Sequence, residues 1–310
     1  MTPPRTPALL AVTVTAVLWG TTGTAASLAG GVGPLAIGAV SLGVGGLLQA
    51  LVAAPDLRRM RPLLREHRGL VLLGGVAVFT YPLAFYSSMH LAGVAVGTVI
   101  SLASAPLSAG VIEKLTGGTS LGPWWTSAAG LGITGAALIS VAAGDGDTPG
   151  EGTGTLAGIA LGLLAGVSYA LYSWVAFRLM LLGTGRGAAM GAVFGVGGAM
   201  LVPVLLLTGA PLLESATTLG VAAYISLVPM FLGYVLFGYG LTRLSPSTAT
   251  TVTLLEPAVA AVLAVLVVGE RLAPVGWVGL ALIGAVLVLL ALAPDRGRPG
   301  NPGNPGNPGS

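Results

Sequence analysis

Long apolar runs separated by short polar gaps organise this 310-residue chain from residue 8 to residue 292. A helix crossing roughly 30 Å of hydrocarbon needs about 20 mainly apolar residues. Ten stretches reach that length, near 8–29, 34–54, 69–89, 92–112, 122–142, 155–177, 187–208, 218–239, 248–268 and 275–292. They are rich in Gly and Leu and lack the alternation, over about ten residues, that marks a membrane barrel strand. Helices are the remaining way to satisfy backbone groups in lipid. The pattern predicts an all-α polytopic membrane protein with ten transmembrane helices. Arg5 precedes the first run and Ser27-Leu28-Ala29 is a passable cleavage site, but a signal h-region spans only about 7–15 residues. The first span is expected to be retained.

Composition agrees with the pattern. Charged residues make up 7% and hydrophobic ones 54%, and mean hydropathy is +0.93. A soluble domain could not cover its surface with so few charges, whereas a lipid-facing surface needs none. The positions of the charges add an orientation. Threading ten spans from an inside N-terminus puts Arg5, Arg58, Arg59, Arg61, Arg65, Arg68, Lys114, Arg178, Arg186, Arg243, Arg296 and Arg298 on one side. Arg271 alone falls on the other, with Asp145, Asp147, Glu151, Glu214 and Glu270. The positive-inside rule then places both termini in the cytoplasm. Adding or removing one span would destroy this partition. The net charge of +3 reflects topology, and basic residues scattered over loops offer no nucleic-acid surface. There is no cysteine, which excludes disulfides and thiolate chemistry. The 50 glycines, with lysine almost wholly replaced by arginine, suit a GC-rich bacterial genome.

The spans also divide into halves. With the chain slid against itself by the offset between Pro106 and Pro257, Ala109, Val111, Leu115, Gly118 and Leu121 land on Ala260, Val262, Leu266, Gly269 and Leu272. The same register superposes the fourth span on the ninth and the third on the eighth. With the offset shortened by one residue, Leu18-Trp19-Gly20 falls on Ser168-Tyr169-Ala170, pairing spans one and six. Five spans per half is an odd number, so the second half enters the membrane inverted. Such repeats produce alternating access around a midplane site. The expected organisation is a first repeat over 1–143, an external loop over 144–154, a second repeat over 155–294 and a disordered tail over 295–310.

Several short motifs carry a resemblance. Trp19-Gly20, the run Gly93-Val94-Ala95-Val96-Gly97-Thr98 leading to Ser104-Ala105-Pro106, Leu255-Glu256-Pro257 and Gly269-Glu270-Arg271-Leu272 resemble the EamA repeats of the drug/metabolite transporter superfamily. The likeness covers about residues 8–293. It departs at Gly118-Thr119-Ser120-Leu121, where Gly-Glu-Arg is usual, so a symmetric pair of Glu-Arg corners is not expected. The resemblance implies transport of small metabolites without ATP, often export of amino acids, amines or drug-like compounds.

Candidate chemistry centres on Glu256, the one acidic residue placed well inside a predicted span. A charge there costs roughly 2.5–3.5 kcal/mol on insertion scales, so it should face a cavity or be protonated. It reads either as a proton carrier or cation-recognition carboxylate, or as a structural group satisfying carbonyls freed by Pro257. Trp19, Tyr81, Tyr86, Tyr169 and Tyr234 are candidate aromatic walls for an apolar or cationic solute, with Trp19 and Tyr169 on opposite walls. Packing is the bland alternative for each. Thr98, Ser104 and Thr253 are candidate polar contacts, though Ser101 and Ser104 could equally bond one turn back. Pro106 and Pro257, matched in the repeats, are candidate hinges; Pro82, Pro203 and Pro229 also interrupt spans. Trp124, Trp125 and Trp277 suit an interfacial belt, His90 a polar helix end, and Gly93/Gly97, Gly162/Gly166 and Gly191/Gly195 close helix packing.

Other apparent motifs carry nothing. Gly130-Leu131-Gly132-Ile133-Thr134-Gly135 spells a dinucleotide fingerprint inside an apolar run with no preceding strand. Asp145-Gly146-Asp147 begins like a calcium loop, but Pro149 interrupts it. No Walker lysine exists, and neither a cofactor, a metal nor a catalytic residue is expected. The Asn-Pro-Gly triplets of 301–309 are too few for collagen. The expected function is secondary transport of small organic solutes across a bacterial inner membrane, as export, with proton coupling if Glu256 is the proton carrier. The alternatives are a membrane scaffold or receptor-like protein, an intramembrane enzyme and a passive channel. The bilayer and a small-molecule substrate are the expected partners, nucleic acid is not, and monomer and homodimer both stay open.

Overall fold

In the computed structural model, residues 5–117, 122–142, 153–263, 265–266 and 273–292 are described, and every regular element among them is helical. In chain order these are α1 (Arg5–Gly20), α2 (Thr22–Ser27), α3 (Pro34–Val52), α4 (Ala54–Arg59), α5 (Arg61–Glu66), α6 (Arg68–Ala92), α7 (Val94–Leu115) and α8 (Pro123–Ala142). There follow α9 (Thr153–Leu181), α10 (Gly185–Thr208), α11 (Ala216–Ile225), α12 (Gly233–Leu241), α13 (Pro246–Val252), α14 (Leu255–Leu263) and α15 (Pro274–Leu292). Seven helical stretches among the described residues are long and apolar enough to cross a membrane. They correspond to the first four and the sixth to eighth predicted runs. The fifth run forms α8, the ninth is divided into α13 and α14, and the tenth forms α15. Residues 144–152 of the acidic loop, the tail at 295–310 and the corners at 118–121 and 269–272 lie outside the described residues, while Thr153 and Gly154 already belong to α9.

The surface is inverted relative to a soluble protein. Leu10, Leu51, Leu72, Leu107, Leu163, Leu206, Leu207 and Val288 are exposed, while Thr15, Ser41, Ser88, Ser168, Ser173, Thr250, Thr251 and Thr253 are buried. Lipid offers hydroxyls no partner, so they turn inward and find helix carbonyls. Glycines let the helices approach: Gly191 and Gly195 of α10 pack on Ala53 and Ala50, and Gly162 and Gly166 of α9 pack on Ser88, Ile100, Ser101 and Ser104. Trp124 and Trp277 are exposed near the starts of α8 and α15.

The described basic residues gather at one end. Arg5, Arg68, Lys114, Arg178, Arg186 and Arg243 lie at or just beyond helix termini, and Arg58, Arg59, Arg61 and Arg65 lie on the short helices α4 and α5. Antiparallel neighbours bring these termini together. Gly240, three residues before Arg243, packs on Val12 and Ala8 of α1; Asp56 of α4 lies against Gly187; and the Arg186 guanidinium sits 5.6 Å from the centroid of the Tyr239 ring. This is the arginine end of the bundle.

Three interruptions meet at mid-bundle. The first span breaks at Thr21, between α1 and α2. The ninth breaks at Thr253–Leu254, where Leu254 N donates to Thr251 O and Glu256 N donates to Thr253 O. The eighth passes from α11 to α12 through a π-helical segment, Ser226–Leu232, built around Pro229. Proline cannot donate to the carbonyl one turn back, and a widened turn accommodates the loss. The first and ninth breaks abut, since a Cβ built on Gly20 would lie 2.6 Å from Val259 Cβ and 2.9 Å from Glu256 O. Only glycine permits that approach. α7 and α9, which the repeat pairs with α13–α14 and α1–α2, run unbroken.

Candidate functional site

Irregular backbone at membrane depth is tolerated where it is buried in protein or lines a cavity. Here a narrow cavity lies at the junction of the three interruptions, with room for about one water-sized sphere. Its aromatic lining is Trp19, Tyr81, Phe85, Tyr86 and Tyr234; Thr22, Ser41, Leu42, Pro82, Met230 and Glu256 complete it. α1 delivers Trp19 from its last turn, α2 delivers Thr22, the π-segment delivers Met230, and the first turn of α14 delivers Glu256. The lining runs from mid-helix toward the end opposite the arginines.

Glu256 is 8% exposed, and its Oε2 is buried with no hydrogen-bond partner among the described residues. Among the described residues, no basic side chain lines the cavity. An unpaired carboxylate in such surroundings must hold a proton or await a cation. Pro257 follows in the first turn of α14, where a missing N–H leaves no intrahelical bond unmade. The Thr253 carbonyl one turn back is taken by Glu256 N at 3.0 Å. The carboxylate is therefore not needed to satisfy a carbonyl that Pro257 has freed.

Trp19 is the keystone of the aromatic cluster. Its indole Nε1 donates to Pro229 O at 2.9 Å, and the Thr15 hydroxyl lies 3.0 Å from Gly233 O. α1 thus engages carbonyls of the π-segment and of the residue that follows it. The Trp19 ring lies 4.8 Å from Tyr234, 5.6 Å from Phe237 and 5.8 Å, edge-on, from Tyr169. Tyr169 and Trp19 are thus in contact, and Tyr169 stands behind the cavity wall instead of across from it. The Tyr169 hydroxyl is 2.9 Å from Thr253 Oγ1, which itself donates to Thr250 O at 2.9 Å, so Tyr169 is the donor. The Tyr172 and Tyr234 hydroxyls meet at 2.6 Å.

Of the residues singled out in the sequence, the fold brings Trp19, Tyr81, Tyr86, Tyr234 and Glu256 to the cavity. Tyr169 and Thr253 form the layer behind it. Thr98 is half-buried on α7 and Ser104 bonds back to Ser101 O at 3.2 Å; neither borders the cavity. Pro257 follows a helix break, whereas α7 is continuous through Pro106. His90 is exposed near the end of α6.

Sequence reasoning missed Phe85, Thr22, Ser41 and Met230, which carry no signal beyond apolar or small polar character. It also missed Glu113. The predicted fourth span ended at residue 112, but α7 continues to Leu115, and Glu113 is 6% exposed. The signal was an acid on the last turn of an apolar run, at the end otherwise given to arginine.

The comparisons with known proteins agree with this architecture. The EamA-like transporter family profile matches twice, over residues 6–141 and 156–292. A Bacillus subtilis (strain 168) protein called uncharacterized transporter YwfM is 32% identical over 289 residues, covering 93% of this chain and 94% of its own. A solved structure described only as a crystal structure of a protein superposes with a TM-score of 0.75 at 20% identity, covering 93% of this chain and 98% of that one. That likeness shows a shared fold.

Proposed function

Because the chain belongs to the EamA-like transporter family and is a multi-pass membrane transporter, we propose that it is a secondary carrier exporting small organic solutes that bear a cationic group, amines and amino acids among them. Ten spans form two inverted repeats, over 1–143 and 155–294, whose rocking exposes the cavity alternately to each side. Both termini lie in the cytoplasm of a bacterial cell, and the protein resides in its inner membrane. The observation that carries the substrate reading is Glu256 Oε2, buried at an aromatic-lined cavity with neither a hydrogen-bond partner nor a basic side chain beside it among the described residues. A cation can meet ring faces and carboxylate together, while an anion would face the carboxylate unaided. Glu256 also supplies a place for a proton travelling the opposite way.

The test is uptake into proteoliposomes of phenethylammonium, phenylacetate and 2-phenylethanol, which share a body and differ in charge. Saturable, counterflow-stimulated movement of the ammonium alone is expected. Transport of phenylacetate in preference to it would overturn the cation reading, and equal, unsaturable leakage of all three would indicate a channel.

Orientation has its own check, because the chain has no native cysteine. A cysteine placed at Gly146 is expected to react with an impermeant maleimide on intact cells, and one at Ser310 only after permeabilisation. The reverse pattern would invert the topology.

A further inference from the structure

Glu113 and Ser247 join the fourth and ninth spans at the end of the bundle away from the cavity. Glu113 Oε1 accepts from Ser247 N at 2.7 Å, and Oε2 accepts from Ser247 Oγ at 2.8 Å. One buried carboxylate thus spends both oxygens on one residue of a facing helix. Ser245 caps α13 by accepting from Thr248 N, and Glu113 adds a second cap, from a facing helix, at the Ser247 N–H. Burying a carboxylate carries a desolvation cost, which the two hydrogen bonds to Ser247 offset only while α7 and α13 stay together.

The hydroxyls that follow Ser247 behave differently. Thr250 bonds to Pro246 O and Ser247 O, Thr251 to Ser247 O, and Thr253 to Thr250 O, all within the ninth span. If α7 and α13 separate, these bonds survive and only those to Glu113 are lost. The buried hydroxyls lead along α13 from Glu113 toward Glu256, nine residues beyond Ser247 in sequence and roughly 13 Å away at helical rise. A polar stripe buried in an otherwise apolar bundle, each hydroxyl satisfied by its own helix, is ready to line a water-filled path.

We propose that the Glu113–Ser247 contact is the inner gate of the carrier: it holds the two repeats together at the arginine end, and its release opens the hydroxyl stripe of α13 as the cytoplasmic path to Glu256. The inference rests on the transporter reading but not on the substrate class.

The experiment uses the full chain in proteoliposomes, with Thr250→Cys as the single cysteine and the charged thiol reagent methanethiosulfonate ethylammonium applied from the arginine end. Thr250 is 1% exposed, so slow labelling is expected with the gate intact. Glu113→Gln should raise the labelling rate about tenfold or more, and Ser247→Ala, which keeps the backbone N–H, should raise it less. An unchanged rate in folded Glu113→Gln protein, judged by monodisperse elution, would reduce the contact to a structural cap. Should that variant not fold, Ser247→Ala decides, and an unchanged rate there would likewise overturn the gate. In the second arm, Glu113→Cys and Ser247→Cys are joined by a short, reducible thiol crosslinker. Phenethylammonium uptake should stop and return on reduction; uptake that persists while crosslinked would also overturn the gate. Labelling needs no substrate, so a responsive rate with no uptake of any probe would leave the gate standing and discard the proposed substrate.

Discussion

Glu256→Gln is expected to bring solute accumulation in proteoliposomes down to simple equilibration, with no gradient left, while elution profile and yield stay near wild type. Glutamine keeps the size of the side chain and part of its hydrogen bonding, but it neither ionises nor releases a proton. Folding should tolerate the change, because Glu256 Oε2 bonds no described residue and the Thr253 carbonyl is already occupied by backbone. Downhill counterflow of phenethylammonium should weaken as well, since the amide leaves the cation without its counter-charge in a poorly hydrated site. Glu256→Asp should restore part of the accumulation. Full accumulation by Glu256→Gln would remove the residue from both coupling and recognition. Loss of folded protein would show instead that the carboxylate secures the start of α14.

Trp19→Ala is expected to raise the half-saturation concentration for phenethylammonium at least tenfold and to lower thermal stability markedly. The indole is 3% exposed and contacts Tyr169, Tyr234 and Phe237. Truncating a buried tryptophan typically costs about 3–5 kcal/mol through lost packing. The change also strands Pro229 O, which the indole N–H now satisfies at 2.9 Å. Trp19→Phe separates the two contributions: it keeps a ring at the cavity but loses that hydrogen bond. It should retain most of the affinity while melting at a lower temperature than wild type. If Trp19→Phe and Trp19→Ala melt alike and bind like wild type, Trp19 serves the fold and not the site.

Much of the architecture was legible before any coordinates. Continuous apolar runs specify helices in lipid because no other element without a free edge fits their pattern. The third span, expected at 69–89, is α6 at Arg68–Ala92, and the seventh, expected at 187–208, is α10 at Gly185–Thr208. The described arginines share one end, as their spacing required. Glu256 stood out because a carboxylate in an apolar run has few places to go, and Trp19, Tyr81, Tyr86 and Tyr234 because large polar-tipped rings are uncommon among so many small residues.

What the sequence alone determined, then, is set by local composition: helix type, approximate span ends, the arginine end and the one acid at cavity depth. Tertiary structure decided the rest, because the remaining choices depend on what faces each helix. Pro106 and Pro257 occupy matching places, yet α7 passes through one unbroken and the ninth span breaks ahead of the other, where Gly20 lets α1 press against the Glu256 carbonyl. Tyr169 and Trp19 match across the repeat, yet only the indole borders the cavity, because Tyr169 turns its hydroxyl to Thr253 on the ninth span. Glu113 reads as a loop acid until Ser247, 134 residues away in sequence, supplies it with two donors and buries it. Proline, tyrosine and glutamate each have more than one way to satisfy their polar groups, and only the neighbours brought by folding select among them.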